Sequence, residues 1–251
     1  MKNIRRKLIL SFFIILAAIL FYAVFTIFFD QAVLVRQGTF YLANTDEKVI
    51  ALTFDDGPSP EWTPQILDEL KKSDVKATFF MVGKFVEKYP EIARRAVKEG
   101  HEIGNHTFSH PVLFFASPDQ IKKEILQAEA AIKNATGKST TLFRPPKAWL
   151  TEERKKEIKD LGYTIVLWTL NSKDWVTFHD KHIRRYLLKR VRSGDIILFH
   201  DSGGFFGIEG GNRIQTVKTI PRLIEQLKEG GYRFVTVGEL LERDKNNGNH
   251  K

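Results

Sequence analysis

Short apolar runs alternate with longer segments of mixed polarity along most of this chain. Seven runs have the length and the apolar, β-branched or aromatic composition of strands: Val49–Phe54, Ala77–Val82, Glu102–Asn105, Thr141–Arg144, Thr164–Trp168, Asp195–Phe199 and Arg233–Val237. Six helix-length segments separate or follow them: Trp62–Lys71, Pro90–Glu99, Pro118–Thr136, Glu152–Leu161, Lys181–Val191 and Gln215–Lys228. Alternation of strand and helix predicts an α/β fold with a parallel sheet, either open or closed into a barrel.

The N-terminal pattern is different, because Leu8–Phe29 is an uncharged, almost wholly apolar run of 22 residues. That length suffices for a helix to cross a membrane. The basic residues within 1–7 would stay in the cytoplasm and place the rest of the chain outside. A cleaved signal peptide is the alternative, but its apolar core would be shorter and would end at a small-residue site. We therefore predict a single-pass anchor that contacts the lipid bilayer through residues 8–29.

These patterns divide the chain into five parts. A basic stub at 1–7 and the transmembrane helix at 8–29 are followed by a connector at 30–47. One folded domain occupies 48–241, and a polar, flexible tail occupies 242–251. A chain of 251 residues is long enough for one domain with a full hydrophobic core.

Composition narrows the chemistry. The formal net charge is +9, to which the stub contributes Lys2, Arg5, Arg6 and Lys7. The remaining positive charge is mild and suits contact with anionic cell-wall polymers. No dense Lys/Arg stripe with interleaved aromatics is present, so we do not expect a nucleic-acid partner. The chain has no cysteine, which excludes disulfides and thiolate ligands and leaves nitrogen and oxygen as metal ligands. The oligomeric state stays open.

Polar residues collect where the predicted strands end. In chain order they are Asp55 and Asp56, His106 and His110, Arg144, Asp174 and Trp175, and His200 and Asp201. The carboxyl ends of parallel strands meet at one edge of an α/β sheet, where active sites are assembled. Collection of these residues at one edge therefore predicts an active site there.

Two of these motifs suggest metal chemistry. Asp55 and Asp56 are adjacent, so their side chains leave the strand in opposite directions, and one can bind a metal while the other faces water or substrate. His106 and His110 are four residues apart and would share one face of a helical turn. With one aspartate they would form a His-His-Asp triad with open coordination positions. An Asp-Gly-Pro turn and an incidental histidine pair are the alternatives for each motif alone.

The other motifs suggest acid–base chemistry. Arg144 precedes Pro145-Pro146, which fix the backbone, so it can orient a carboxylate or make an ordinary strand-end ion pair. A carboxylate near the imidazole of His200 would raise its pKa and let it act as an acid near neutrality. Trp175 and Leu198 would wall an apolar pocket for a methyl group, or simply pack in the core.

In this order the residues resemble the polysaccharide deacetylase family, also called the NodB-homology family or carbohydrate esterase family 4. The resemblance extends over about Glu47–Leu241. Five motifs carry it: T-F-D-D-G-P at Thr53–Pro58, H-T-F-S-H-P at His106–Pro111, R-P-P at Arg144–Pro146, D-W at Asp174–Trp175 and L-F-H-D at Leu198–Asp201. Each motif alone is weak to moderate, but their joint order is highly specific.

The resemblance implies a distorted (β/α)7 barrel and a hydrolase that removes N-acetyl groups from an amino-sugar polymer, with cell-wall peptidoglycan as the default substrate. It implies one divalent ion, zinc or cobalt, on Asp56, His106 and His110. The remaining roles that it implies are Asp55 as general base oriented by Arg144, His200 as general acid tuned by Asp174, Trp175 and Leu198 as the acetyl pocket, and the amide of Lys147 as an oxyanion donor.

The chain departs from the family pattern at two places. Lys147-Ala148-Trp149 stands where an aromatic residue and a glycine often follow the prolines, which alters the floor of the groove. Asn171 stands where the fourth motif often has aspartate. An O-acetyl esterase and a non-catalytic wall-binding relative of the same fold are the alternatives. An iron oxygenase is disfavoured by the βα alternation, the second aspartate and the Arg144 motif.

Overall fold

The computed structural model describes residues 2–29, 32–177, 179–203 and 209–248. Its strands are β1 (Val49–Asp55), β2 (Thr78–Met81), β3 (Glu102–Asn105), β4 (Leu142–Phe143), β5 (Thr164–Ile165), β6 (Leu170–Asn171), β7 (Ile196–His200) and β8 (Arg233–Phe234). The strands form one parallel sheet in the order β5-β4-β3-β2-β1-β7-β6, and β8 pairs with β1. The predicted parallel α/β fold is confirmed.

The helices cover the predicted segments and add others. They are α1 (Lys2–Phe29), α2 (Ala32–Val35), α3 (Thr63–Lys72), α4 (Gly83–Lys88), α5 (Pro90–Lys98), α6 (Pro118–Thr136), α7 (Glu152–Asp160), α8 (Asp180–Leu188), α9 (Ile214–Glu229) and α10 (Val237–Gly248). Short 3₁₀ turns at Leu113–Phe115 and Pro146–Ala148 follow β3 and β4. Helices α2, α4 and α10 lie outside the six predicted segments, and α1 covers the apolar run Leu8–Phe29.

The distorted (β/α)7 barrel that the family resemblance implies is, in the described residues, an open half-barrel of parallel strands. The run predicted as one strand, Thr164–Trp168, ends in the structure at Ile165, and the additional strand β6 begins at Leu170. Strands β5 and β6 are the two ends of the sheet order. Four residues join them, whereas parallel neighbours need a crossover of about a dozen residues or more. These two ends therefore cannot pair with each other, and the sheet stays open.

The middle of the sheet is buried on both faces, as expected of a central parallel strand. On one face Phe54 stacks on Phe79 and Phe199, with ring centroids 5.0 and 5.8 Å apart, and helices α3, α5, α8 and α9 cover these rings. On the other face Phe80 packs with Trp168. This packing fixes the carboxyl end of β1, where Asp55 aligns with Phe80 of β2 and His200 of β7.

The predicted connector is partly built into the domain. Within it, Phe40 pairs with the chain after β5, accepting the amide of Leu167 at 2.8 Å and donating to Ile165 at 2.8 Å. The amide of Ala43 donates to the carbonyl of Gly194 at 3.0 Å. The packed unit therefore begins ahead of residue 48, and residues 36–43 occupy the open side of the sheet.

The two ends of the chain differ from the predictions. Residues 242–248, expected as part of a flexible tail, are helical and belong to α10, and Asp244 accepts the amide of Asn44 at 2.7 Å. Residues 249–251 and the connector residues 30 and 31 lie outside the described residues. Helix α1 covers the predicted transmembrane segment, but among the described residues no helix reaches the length and apolarity of a membrane span, so the predicted transmembrane helix is not confirmed.

Candidate active site

The carboxyl end of β1 presents two adjacent carboxylates to different partners. Asp55 ends the strand, is 4% exposed, and its Oδ1 accepts a hydrogen bond from Nη1 of Arg144 at 2.7 Å. Asp56 has a φ of 79°, in the left-handed region, and its Oδ1 lies 3.1 Å from Nε2 of His110 and 3.4 Å from Nε2 of His106. The two carboxylates are thus divided as the sequence predicts, although Oδ2 of Asp55 also lies 3.9 Å from Nε2 of His106.

His106 and His110 converge through a loop, so the predicted helical turn is wrong. Thr107 and His110 have φ values of 67° and 62°, which no right-handed helix contains. The amide of Thr107 donates to the side chain of Asn105 at 2.9 Å, and the amide of His110 donates to the hydroxyl of Thr107 at 3.0 Å. These local side-chain bonds replace helical ones and bring the imidazole centroids to 5.0 Å.

A carboxylate from α6 holds the same loop from outside. Glu124 accepts the amides of Phe108 and Ser109 at 2.9 and 2.7 Å, and also the hydroxyl of Ser109 at 2.7 Å. Three hydrogen bonds to one side chain leave the backbone between the two histidines little freedom. The helix thereby positions the histidine pair.

Asp56, His106 and His110 fit a divalent cation. One ligand atom from each lies within 4.8 Å of the others. Nδ1 of His106 lies 2.7 Å from the carbonyl of Arg144, which fixes Nδ1 as the donor and leaves the Nε2 lone pair for a metal. Burial raises the pKa of Asp56, but the charge of His110 and the hydrogen bonds of His106 and His110 outweigh it and hold that pKa well below its ordinary value. Two imidazoles and one carboxylate are a donor set that zinc accepts.

Arg144 is fully buried beneath the site. Its Nη1 donates to Asp55 at 2.7 Å and to the hydroxyl of Thr53 at 2.8 Å, while Nε and Nη2 donate to the carbonyls of Val166 and Leu167 at 3.2 Å. The guanidinium also lies 4.0 Å from the ring centroid of Phe80. Burial lowers the pKa of Arg144, Asp55 opposes this, and arginine stays charged in either case. The cation is therefore held rigidly against the Asp55 carboxylate.

His200 and Asp174 form a second ion pair at the same edge. Nδ1 of His200 lies 2.8 Å from Oδ1 of Asp174, and the amide of His200 donates to Oδ2 at 2.8 Å. Thr216, on α9, donates its hydroxyl to the same Oδ2 at 2.6 Å. Burial lowers the pKa of His200, but the charge and hydrogen bond of Asp174 and the charge of Asp56 outweigh it, so that pKa is raised. The imidazole is thereby favoured in its protonated form.

Two further buried ionisable residues support the loop after β7. Arg213 donates to the carbonyls of Ser202 and Gly203 at 2.6 and 2.7 Å. Asp201 accepts the hydroxyl of Thr63 at 2.6 Å, and burial together with the nearby carboxylate of Asp56 raises its pKa to about 7. A carboxyl with this pKa is largely neutral at lower pH, which reduces repulsion from the other acids at this edge.

The three predicted substrate-binding residues differ in how far they are exposed. Lys147 is exposed and has a φ of 57°, in a tight turn. Pro145 and Pro146 have no backbone N–H, so the amide of Lys147 is the first backbone donor after Arg144. Trp175 is half-buried beside Asp174. Leu198 is 2% exposed and packs in the core with Phe80 and Trp168. Asn171, at the departure from the family pattern, accepts the amide of Lys173 at 2.9 Å.

Several residues that support the site were not predicted. They are Thr53, Thr63, Asn105, Glu124, Arg213 and Thr216. Thr53 and Asn105 lie within or beside the strand-end motifs, so their positions in the sequence offered a signal. Glu124 and Thr216 lie inside helices among other polar residues, and nothing local in the sequence distinguishes them.

Comparisons with known proteins identify relatives of this chain. The family model described as "Polysaccharide deacetylase" matches residues 43–166. A peptidoglycan-N-acetylglucosamine deacetylase of Bacillus cereus is 40% identical over 198 residues, which cover 78% of this chain and 89% of that protein. The peptidoglycan-N-acetylmuramic acid deacetylase PdaA of Bacillus subtilis is 36% identical over 82% of this chain and 76% of its own length. The crystal structure of the Bc1960 peptidoglycan N-acetylglucosamine deacetylase superposes with a TM-score of 0.74 at 35% identity, covering 81% of this chain and 92% of that one.

Proposed function

The chain belongs to the polysaccharide deacetylase family and is a polysaccharide N-deacetylase, and on that premise we propose that it removes N-acetyl groups from the amino sugars of peptidoglycan with the help of one divalent metal ion. One observation carries the mechanistic part of the proposal. A candidate cation site, a carboxylate held by a buried arginine and a histidine paired with a buried aspartate lie together at the carboxyl edge of the sheet.

Asp56, His106 and His110 would hold the ion. The open coordination positions left by three protein ligands suit a catalytic site, since structural zinc sites usually have four. When bound, a divalent cation supplies a water of lowered pKa and polarises the acetyl carbonyl. Zinc and cobalt are the ions that we propose, because the family resemblance implies them and a nitrogen and oxygen ligand set can bind them.

Asp55 would act as the general base. Its Oδ1 is occupied by Arg144, and its Oδ2 lies on the side of His106, 3.9 Å from Nε2. The free oxygen therefore faces the metal ligands, where it can accept the proton of the attacking water. Arg144 keeps the carboxylate in that orientation.

His200 would act as the general acid. The amine that leaves an amide is strongly basic and needs a proton to depart. Asp174 binds Nδ1 of His200 at 2.8 Å, so Nε2 carries the proton that is donated. Thr216 holds the second oxygen of Asp174 and keeps it aimed at the imidazole.

We further propose that the amide of Lys147 helps to bind the oxyanion and that Trp175 and Leu198 surround the acetyl methyl group. Support comes from the family resemblance and from the placement of Lys147 in the turn after the prolines. Because Leu198 is packed in the core, its contribution would be to the wall of the pocket and not to an exposed surface.

Acetate release from purified peptidoglycan tests the proposed function. The enzyme should release acetate, lose activity on chelation, and regain it with zinc or cobalt. A panel of glycans carrying N-acetylglucosamine, N-acetylmuramic acid or O-acetyl groups distinguishes the two sugars and the O-acetyl esterase alternative. Absence of acetate from every glycan in the presence of metal would contradict the proposal and favour a non-catalytic, wall-binding relative.

The sugar that is deacetylated is not decided by the comparisons, because relatives of both specificities match. We propose N-acetylglucosamine, since the relative of that name has the higher identity, 40% against 36%. Mass spectrometry of muropeptides after digestion locates the lost acetyl group on one sugar or the other.

We also propose that the enzyme acts outside the cytoplasm at the cell membrane. Peptidoglycan lies outside the cytoplasm, and the apolar run Leu8–Phe29 follows a basic stub. Large apolar side chains such as Ile9, Phe12 and Phe13 are more than half exposed in α1, so they are available for contact with lipid.

A further inference from the structure

Two adjacent aromatic side chains stand exposed near the active site. Phe115 is 81% exposed and Phe114 is 41% exposed. Their ring centroids are 4.9 Å apart, and Phe114 also meets the half-buried Trp149 at 6.2 Å, in both cases edge to face. We call these three residues the aromatic platform. Burying an aromatic side chain is strongly favourable, so exposed neighbouring rings mark a contact surface.

The platform is attached to the segments that build the active site. Phe114 lies four residues after the metal-ligand candidate His110, so their Cα atoms are at most about 15 Å apart. Trp149 lies five residues after Arg144. Both segments leave the carboxyl edge of the sheet, from β3 and β4, which are neighbouring strands. The platform therefore flanks the site on the side of His110.

The platform is held in place from below. Leu113 is fully buried and Leu150 is 5% exposed, and both pack in the same apolar cluster with Phe143. The 3₁₀ turn that carries the two phenylalanines closes with a hydrogen bond from the amide of Ala116 to the carbonyl of Leu113 at 3.1 Å. The rings are thus presented by an anchored turn, which reduces the entropy lost when a ligand packs on them.

We propose that the aromatic platform is a subsite for a sugar ring of the glycan strand, a few units from the sugar that is deacetylated. A pyranose ring has apolar C–H faces and polar edges, so it packs on an aromatic face while its hydroxyls stay in water. A strand that places one N-acetyl group at Asp56 must continue across the neighbouring surface, and the platform lies on that surface. This inference rests on the proposed function.

The occupant is a saccharide and not a second copy of this chain or a peptide. The neighbouring Lys147 is exposed on the segment that carries Trp149, so a cation borders the rings and the surface is not a purely apolar interface. A cation suits the carboxylates of peptidoglycan.

The test compares long and short substrates with the full-length chain loaded with zinc. For Phe115→Ala we expect kcat/KM on glycan strands to fall about 3–10-fold, which is the size of one aromatic contact, while kcat/KM on a chitobiose-sized substrate stays unchanged. Phe115→Trp keeps an aromatic ring and should have a kcat/KM on glycan strands close to that of the wild type. Leu126→Ala, which removes another exposed apolar side chain, on helix α6, should leave both activities unchanged.

Three outcomes would overturn the inference. Equal activities of Phe115→Ala and wild type on glycan strands would remove the sugar contact. An equal loss on both substrates would indicate damage to the catalytic site. If sedimentation showed that the wild type is a dimer and Phe115→Ala a monomer, with kcat/KM on glycan strands unchanged, the rings would bind a second copy of the chain. Failure of the proposed function itself is distinguishable, because wild type would then release no acetate from either substrate.

Discussion

At the residue scale, the site depends on separating acids that lie side by side. Asp55 and Asp56 are neighbours in sequence, yet a buried arginine holds one and two imidazoles hold the other. The left-handed φ of Asp56 makes this possible, because it turns the second carboxylate towards His110. One acid can then stay free to accept a proton while its neighbour binds a cation.

Exchange of each carboxylate for its amide should separate these two roles. Asp55→Asn should keep the metal and lose roughly 10²–10⁴-fold in kcat, because an amide cannot accept the proton of water. Asp56→Asn should bind metal more weakly and recover part of its activity at high zinc or cobalt. Metal content and turnover are measured on the same samples. Loss of metal from Asp55→Asn with retention in Asp56→Asn would reverse the assignments.

The pair of His200 and Asp174 makes a pH prediction. The Asp174 carboxylate raises the pKa of His200, so Asp174→Asn should lower that pKa. The protonated acid is then lost at a lower pH, and the alkaline limb of the kcat profile should move to lower pH. The pH dependence of acetate release measures this. Asp160→Asn, an exposed acid on α7, is the control, and an unmoved alkaline limb in Asp174→Asn would contradict the role.

At the element scale, short segments outside the main βα units complete the domain. Residues 36–43 lie at the open side of the sheet, where Arg36 donates to the carbonyls of Trp168 and Thr169 at 2.8 and 3.2 Å. Arg144 bonds to Val166 and Leu167 in the same stretch of chain. Packing of the N-terminal segment is thus connected to the arginine that holds Asp55.

A glycine pair tests how much this packing stabilises the domain. Gly194 has a φ of 82°, and a Cβ there would lie 2.1 Å from the carbonyl oxygen of Ala43. Gly137 has a φ of 71° with nothing within 4 Å of a Cβ. Gly137→Ala should cost roughly 1–2 kcal/mol of unfolding free energy from the backbone alone. Gly194→Ala should lower the unfolding free energy further, because residues 36–43 must also move. Equal losses of unfolding free energy in urea melts of the two variants would show that the packing of residues 36–43 contributes little to stability.

At the scale of the whole molecule, the roles proposed for the domain and for the N-terminal helix can be tested separately. Helix α1 contributes large exposed apolar side chains, among them Leu10, Phe12 and Phe21. The packed residues of the domain begin with Ala32, which is fully buried. If α1 sets the location in the cell, as proposed, that location depends on a segment outside the catalytic edge.

Removal of residues 1–31 tests this separation. The shortened protein should appear in the soluble fraction and keep its acetate release from soluble glycans, whereas the full chain should sediment with membranes. Protease added to spheroplasts should digest the domain of the full chain. If most of the expressed protein were instead found in the culture medium with its N-terminus near residue 30, the N-terminal segment would be a cleaved signal peptide and not an anchor.

The sequence by itself determined the parallel α/β class and the residues gathered at the carboxyl edge of the sheet. Apolar runs of strand length identify buried parallel strands, and carboxyl ends of such strands must share one edge, so the positions of Asp55, His106 and His200 relative to the sheet follow from local pattern alone. The motif order added the family. These inferences need only short-range periodicity and the parallel arrangement.

Only the tertiary structure decided how those residues meet. The loop between the two histidines depends on Glu124 from helix α6. The pair of His200 and Asp174 depends on Thr216, which is 42 residues from Asp174. The barrel stays open because Ile165 and Leu170 are too near in the chain to pair in parallel, a constraint that appears only when the strand ends are known. Contacts between residues far apart in sequence leave no local periodicity, and for that reason the pattern of apolar and polar positions could not predict them.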